Sequence, residues 1–338
     1  MGKYTNIAVI YGSDTSEWEI SCLSGRFVAS QIDGRACDVY EIFARFGKWS
    51  LVASRTGGGE RTEIPDDCRP DVDKNDFSVT TGGRRIKFDY AYIVQHGSPG
   101  ETGQLQGYFE MLGIPFNTCS SFVSAIAFDK YTCKHYFDGE DYVKCAADAL
   151  LREGADIEKV SAELAGRLGM PLFVKPSSGG SSFGITKVKT EEQLPDAIRK
   201  AFAEGGMVIV EQALTGREFT CAVYSDANGP RVLPVCEIIP ENEFFDYDAK
   251  YNGQSREVCP AAIPEAMTEN IVSVSERIYS RLGCRGLVRF DYIYAEDGLY
   301  FLEANTVPGM TAMSLVPRML SVAGIPVSEF LATVMENS

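Results

Sequence analysis

The sequence is poor in histidine, with only His96 and His135, and its ten cysteines contain no CxxC pair. Those cysteines are scattered from Cys22 to Cys284, and no cationic, apolar segment precedes Asn6. They read as reduced thiols in a cytoplasm. No apolar run approaches the roughly 20 residues that span a bilayer, so no membrane partner is expected. Positive charge is scarce as well. The 32 Lys and Arg stand against 47 Asp and Glu, and the formal charge of -15 argues against a nucleic-acid surface. What is present is an ordinary globular mixture, 45 % hydrophobic and 23 % charged, in 338 residues that can form two or three domains with a sizeable core.

"NIAVIYGS" reads as a buried strand, and "SEWEISCLSGRFVASQI" as a helix with Ser16 as N-cap, the opening of a parallel α/β sheet. The loop between them lacks GxGxxG, which removes a nicotinamide oxidoreductase. "WSLVASRTGGGERTEIP" reads as a hairpin, and "RIKFDYAYIVQHGSPGETGQLQGYFEMLG" returns to strand, glycine-rich loop and helix. This first unit spans 1–129. A second unit, 130–217, has a helix through Phe137, a helix from Asp156 to Leu168, strand "PLFVKPS", strand "ITKVKT", helix "EQLPDAIRKAFAEG" and strand "MVIVEQAL". The third, 218–338, has strands "FTCAVYS" and "RVLPVCEII", a polar excursion from Glu241 to Cys259, a helix from Pro264 to Leu282, a hairpin and a C-terminal helix.

That hairpin is "RFDYIYAEDGLYFLEANTVPGM". A three-residue turn at Glu296-Asp297-Gly298 would pair Ala295 with Leu299 and set Asp291 opposite Glu303, with Arg289 and Asn305 on the same face. Facing carboxylates repel unless positive charge stands between them. The donors are oxygens only, which suits a hard ion such as Mg²⁺ and not Zn²⁺; so few protein ligands leave coordination for phosphate oxygens. The plain alternative is a solvated polar face with an Arg–carboxylate pair.

"FVKPSSGGSSFGITKV" carries Lys175 at the end of an apolar strand, then a Gly/Ser loop whose N–H groups can lie over phosphates. No GKS or GKT follows, so it is not a P-loop; a flexible connection is the alternative. Lys130 in "IAFDKY" reads equally well as a surface lysine.

Together "HGSPGETGQLQG", "FDK", "VKPSSGGSSFG", "EQALTGREFT", "FFDYDAKY", "GLVRFD" and "FLEANTVPGMTAMSLVP", in this order, resemble the D-alanine–D-alanine ligase family of the ATP-grasp superfamily, from about Asn6 to the C-terminal helix. The resemblance implies an α/β (α+β) chain in a three-domain ATP-grasp fold with an N-terminal Rossmann-like parallel-sheet domain. It implies ATP-dependent joining of two D-alanines through an acyl phosphate, for peptidoglycan precursor synthesis, with D-Ala-D-lactate or D-Ala-D-Ser ligases as the related alternative. It also implies a homodimer.

Carried over by residue, the resemblance puts Lys130 and Lys175 on the ATP phosphates, Glu211 and Leu214 at the adenine edge and Glu218 on the ribose. Asp291, Glu303 and Asn305 become ligands of two Mg²⁺, with Mn²⁺ as the alternative ion. Arg289 and the Gly309 amide face the tetrahedral oxyanion. Glu17 pairs with the first D-alanine's ammonium and links to Ser181 and Tyr251 when a loop closes. His96 lies in the substrate site, and Lys250, Ser314 and Leu315 lie near the second carboxylate. Trp18, Ala127 and Gly179 depart from residues usual at those positions.

In relatives that make the D-Ala-D-lactate ester, the loop position of Tyr251 carries a histidine, whose protonation repels an attacking ammonium. With only His96 and His135 in the chain, nothing between Glu241 and Cys259 gains charge from about pH 8 to 6. Labelled D-alanine with excess D-lactate is therefore expected to give dipeptide throughout that range. Ester overtaking dipeptide at low pH would refute the assignment of selectivity to Tyr251.

Overall fold

The computed structural model describes residues 3–180, 184–240 and 255–338. Expectations at Ser181, Lys250 and Tyr251 lie outside the described residues. The chain opens with β1 (Asn6–Gly12), α1 (Trp18–Gln31), β2 (Asp38–Arg45), β3 (Lys48–Arg55) and β4 (Thr62–Glu63). It continues through β5 (Val72–Asp73), β6 (Ser78–Thr81), β7 (Arg84–Lys87), β8 (Tyr90–Ile93), α2 (Gln104–Leu112) and α3 (Ser121–Phe128). The order β4-β3-β2-β1-β8 joins three parallel strands to two antiparallel ones, and β5-β6-β7 form a separate small sheet. β1 is covered on both faces, so its β-branched run is buried throughout, as parallel strands are.

Next come α4 (Lys130–His135), β9 (Asp148–Arg152), α5 (Ile157–Leu168), β10 (Leu172–Pro176), β11 (Thr186–Val188), α6 (Leu194–Phe202) and β12 (Met207–Gln212). Their strands make an antiparallel sheet, β11-β10-β12-β9. The last stretch is β13 (Gly216–Asp226), β14 (Gly229–Val232), β15 (Cys236–Pro240), β16 (Ser255–Val258), α7 (Glu265–Leu282), β17 (Val288–Ala295), β18 (Gly298–Asn305), α8 (Leu315–Val322) and α9 (Val327–Glu336). Its antiparallel sheet runs β16-β15-β13-β17-β18, with β14 also on β13. The two C-terminal helices share an apolar core with β1 and α1 through Met310, Val316, Met319 and Phe330, which ties the two ends of the chain together.

Several expectations are corrected. Asp291 does face Glu303, but Ala295 pairs with Gly298, so the turn has two residues. A bulge beyond Asp291 supplies the missing step and restores the register on the site side. Ser16 does not cap α1, whose N-cap position is Glu17; the Glu17 amide is held instead by Thr15 Oγ1 at 3.3 Å. The strand "RVLPVCEII" is interrupted into β14 and β15 at Pro234, which has no N–H for the ladder. The C-terminal helix is two helices meeting at 102°, with Gly324 left-handed between them. The β2–β3 hairpin gave no signal because Phe46 takes a left-handed turn position usually held by Asn or Asp, before Gly47. Cys236 and Cys259 form a disulfide, against the reading of all thiols as reduced; eight cysteines are free. Register explains this pair, since Glu237 faces Val258 and the two cysteines fall opposite one another across 23 residues of sequence.

Gly286 precedes β17 with φ +63°, and a Cβ there would overlap the Asn117 carbonyl oxygen. Asn117 in turn holds the end of β8, with its Oδ1 accepting from Ile93 N at 2.6 Å and its Nδ2 donating to Ile93 O at 3.1 Å. Gly286→Ala is expected to lose about 2–4 kcal/mol through left-handed strain and backbone displacement. An unchanged urea midpoint would show that this close approach is dispensable.

Candidate active site

A cavity of about 800 Å³ lies where the three larger sheets meet, and residues from all three stretches of chain line it, among them Glu17, Lys175 and Asp291. On the β17–β18 face, Asp291 is held from both sides. Arg289 donates to it twice, Nε to Oδ1 at 2.9 Å and Nη2 to Oδ2 at 2.8 Å. Asn305 Nδ2 donates to Oδ2 at 3.1 Å, and Thr220 Oγ1, directly across the ladder on β13, donates to Oδ1 at 2.6 Å. Glu303 is met by Lys130 Nζ at 3.3 Å. The expected positive charge between the carboxylates is thus supplied in this structure by Arg289 and Lys130.

Lys130 also donates to the Gly179 carbonyl at 2.8 Å, and Asp129 accepts from Ser177 Oγ at 2.6 Å and Ser178 Oγ at 2.9 Å. The stem of the Gly/Ser loop is therefore bound to the start of α4. A Cβ built on Gly180 would sit 2.5 Å from Glu17 Oε2, so the loop backbone lies close against that carboxylate.

On the other wall Lys175 Nζ is 2.5 Å from Glu211 Oε1, and Lys134 Nζ is 3.0 Å from Glu211 Oε2. Burial raises the Glu211 pKa, but Lys175 and Lys134 outweigh it and bring the carboxyl down to about 2. Phe173, Ile185 and Leu302 give this end of the cavity an apolar lining, and Leu214 and Glu218 border it.

His96 lines the cavity, but both ring nitrogens are engaged: Nδ1 donates to the Val307 carbonyl at 2.9 Å, and Nε2 meets Ser24 Oγ at 3.2 Å. Burial pushes its imidazolium pKa down, so the ring is neutral and Nε2 accepts. Glu101 completes the contact, with Oε2 accepting from Gly97 N at 2.7 Å and Oε1 from Val307 N at 3.3 Å. Burial first, then the charge of Glu17, push the Glu101 carboxyl up to about 8. Gly309 backs onto Ser314, whose Oγ accepts from Thr311 N at 3.0 Å just ahead of Leu315 and α8.

Sequence reasoning passed over Glu101, Lys134, Asp148 and Thr220. Glu101 stood inside the quoted "HGSPGE", and Lys134 follows Lys130 by one helical turn, so both had a signal. Thr220 and Asp148 had none, since Thr220 reaches Asp291 through strand pairing and Asp148 meets Lys134 Nζ at 2.6 Å from the distant strand β9. Among the described residues no three His, Cys, Asp or Glu side chains cluster in a metal-holding geometry. Two carboxylates and an amide oxygen instead fit a hard divalent cation that shares its coordination with phosphate oxygens.

The cavity carries Lys175 beside Glu211 on one wall and, on the other, Lys130 beside the oxygen donors Asp291, Glu303 and Asn305, an arrangement that suits a nucleotide and its phosphates. The family described as "D-ala D-ala ligase N-terminus" matches residues 6–119 and "D-ala D-ala ligase C-terminus" matches 143–336. The D-alanine--D-alanine ligase of Parabacteroides distasonis is 44% identical over 334 residues, 98% of this chain and 97% of that protein. That of Phocaeicola vulgatus is 41% identical over 332 residues, 98% of both. The crystal structure of a D-Ala:D-Ser ligase from Enterococcus faecalis has a TM-score of 0.86 at 31% identity, covering 99% of both chains. The D-alanyl-alanine synthetase A of Vibrio cholerae has a TM-score of 0.84 at 30% identity, covering 98% of both. The chain belongs to the D-alanine–D-alanine ligase family.

The low folded-state pKa of Glu211 has a defined stability consequence. Its contribution is complete above the ordinary carboxylate range and is lost as pH falls toward about 2, because the unfolded chain takes up the proton first. From about pH 5 downward, wild type is expected to lose stability more steeply than Glu211→Gln. Parallel urea midpoints against pH for the two proteins would count against the Lys175–Glu211–Lys134 set.

Proposed function

We propose that the chain joins two D-alanines to D-alanyl-D-alanine, with ATP cleaved to ADP and phosphate. The observation that carries this reading is the meeting of Lys130, Lys175 and Glu211 with Asp291, Glu303 and Asn305 in one cavity, in a chain that matches the family along almost its whole length. Lys130 and Lys175 hold the phosphates; Glu211 and Leu214 border the adenine, and Glu218 the ribose. Asp291, Glu303 and Asn305 would hold two Mg²⁺, or Mn²⁺, which offset charge on the transferred phosphoryl group.

Glu17, at the start of α1, holds the first D-alanine's ammonium, so that its carboxylate is presented to the γ-phosphoryl group. That carboxylate becomes an acyl phosphate as the bond to ADP breaks. The amine of the second D-alanine, having lost its proton, attacks the acyl carbon and phosphate leaves. Arg289 and the Gly309 N–H face the tetrahedral oxyanion, for which Arg289 must turn from Asp291. His96 borders the substrate site, where its engaged nitrogens fix the wall rather than leave the ring mobile. Lys250, Ser314 and Leu315 lie toward the second carboxylate. Closure of Ser181 and Tyr251 on Glu17 excludes water, which an acyl phosphate requires. The same reading carries a homodimer in the cytoplasm.

Phosphate release is measured with D-alanine, D-serine, D-lactate and L-amino acids, with product identification. D-Alanine is expected to drive release and dipeptide formation, and faster release with D-serine or D-lactate as acceptor would change the assignment. Glu303→Gln and Asn305→Ala are each expected to reduce turnover at least about 100-fold with folding unchanged. Near-normal turnover of Glu303→Gln at low Mg²⁺ would remove the hairpin from the metal site.

A further inference from the structure

Beside Glu211, but not lining the cavity, lies an ammonium group that the reaction scheme leaves without a role. Lys134 is on α4, one turn beyond Lys130, and its side chain is 2 % exposed. Its Nζ is 2.6 Å from Asp148 Oδ2 and 3.0 Å from Glu211 Oε2, and it donates to the Ala146 carbonyl at 3.1 Å. Asp148 is itself fixed, its Oδ1 lying 2.9 Å from His135 Nε2. A buried lysine costs desolvation, so three oxygen partners around one ammonium mark a built position and not a stray side chain.

Glu211 therefore has two cations, and they differ in what else they can reach. Lys175 lines the cavity, whereas Lys134, buried on the same face of the sheet between Glu211 and Asp148, does not. When a triphosphate enters, its charge draws Lys175 away from Glu211. A buried carboxylate left alone takes up a proton and becomes a donor. Adenine offers its exocyclic amine as a donor and so needs an acceptor opposite it; guanine offers a carbonyl oxygen there and would accept from a protonated carboxyl.

We propose that Lys134 is a positioning residue for the base: it holds Glu211 as a hydrogen-bond acceptor after Lys175 has moved to the phosphates, and so sets the preference for ATP over GTP. This rests on the reading of Glu211 as the adenine-edge residue. Lys134 touches no substrate and acts through Glu211.

The test measures kcat and KM for ATP and for GTP by D-alanine-dependent phosphate release in wild type, Lys134→Gln, Glu211→Gln and the double variant. Lys134→Gln is expected to raise KM for ATP about 10- to 100-fold, the range for a hydrogen bond to a charged group, with kcat changed less than about threefold. The ATP/GTP ratio of kcat/KM falls. The double variant has the ratio of Glu211→Gln alone, because the lysine has nothing left to act on. An ATP/GTP ratio in Lys134→Gln equal to wild type, while Glu211→Gln lowers it, would overturn the role of Lys134 alone. A ratio unchanged in Glu211→Gln would overturn the adenine-edge reading beneath it. Should Lys134→Gln fail to fold, the double variant removes both charges of the pair, and its ratio differing from that of Glu211→Gln overturns the proposal.

Discussion

Two carboxylates standing opposite each other on one hairpin, Asp291 and Glu303, set the condition that the surrounding structure has to meet. Like charges at cross-strand positions destabilise a sheet, and this pair is only partly exposed to water that could screen it. Arg289 answers one carboxylate from within the hairpin, and Lys130 answers the other from a helix that belongs to the preceding stretch of chain. Satisfying the hairpin therefore requires α4 to dock against β18. Because Lys130 also holds Gly179, the stem of the Gly/Ser loop comes with it. One local repulsion thus helps fix the relative positions of a sheet, a helix and a loop.

The opposite wall uses the same chemistry with the signs exchanged. There one buried carboxylate, Glu211, stands between two lysines, and charge pairing offsets desolvation. Both walls present a lysine already paired with a carboxylate. On the proposed reading, phosphate oxygens would compete with Glu211 and Glu303 for Lys175 and Lys130, so binding would rearrange ion pairs that already exist instead of meeting bare charge. Side chains held in this way are ordered before binding, which lowers the cost of ordering them afterwards.

The contact between the N-terminal sheet and the C-terminal loop is made differently, by neutral hydrogen bonds around Val307. His96 donates to its carbonyl and Glu101 accepts from its amide, while Ser24 links His96 to Met310. Nearby, the core shared by β1, α1, α8 and α9 buries Val9, Val28, Val316 and Phe330. Apolar burial supplies the adhesion, and the hydrogen bonds around Val307 set the orientation. The face that carries Glu17 is thereby held at a defined position relative to Gly309 and Arg289.

The sequence by itself determined the order of most strands and helices and the family motifs, whereas Asp291 and Glu303 face each other as expected only because a bulge offsets a shorter turn. The order and the motifs are written in local periodicity, turn residues or contiguous runs, which depend only on neighbours along the chain. It did not disclose the two-residue turn, because the bulge that compensates for it is a property of the paired strands. It gave no sign of the β2–β3 hairpin, because Phe46 occupies a conformation that its own side chain disfavours. Tertiary structure alone decided that Cys236 meets Cys259, that Thr220 serves Asp291, that Glu101 reaches Val307 and that Lys134 reaches Glu211, 77 residues away. These pairings follow from strand register and from which helix packs over which sheet, and a side chain carries no local mark of the distant partner that packing brings to it.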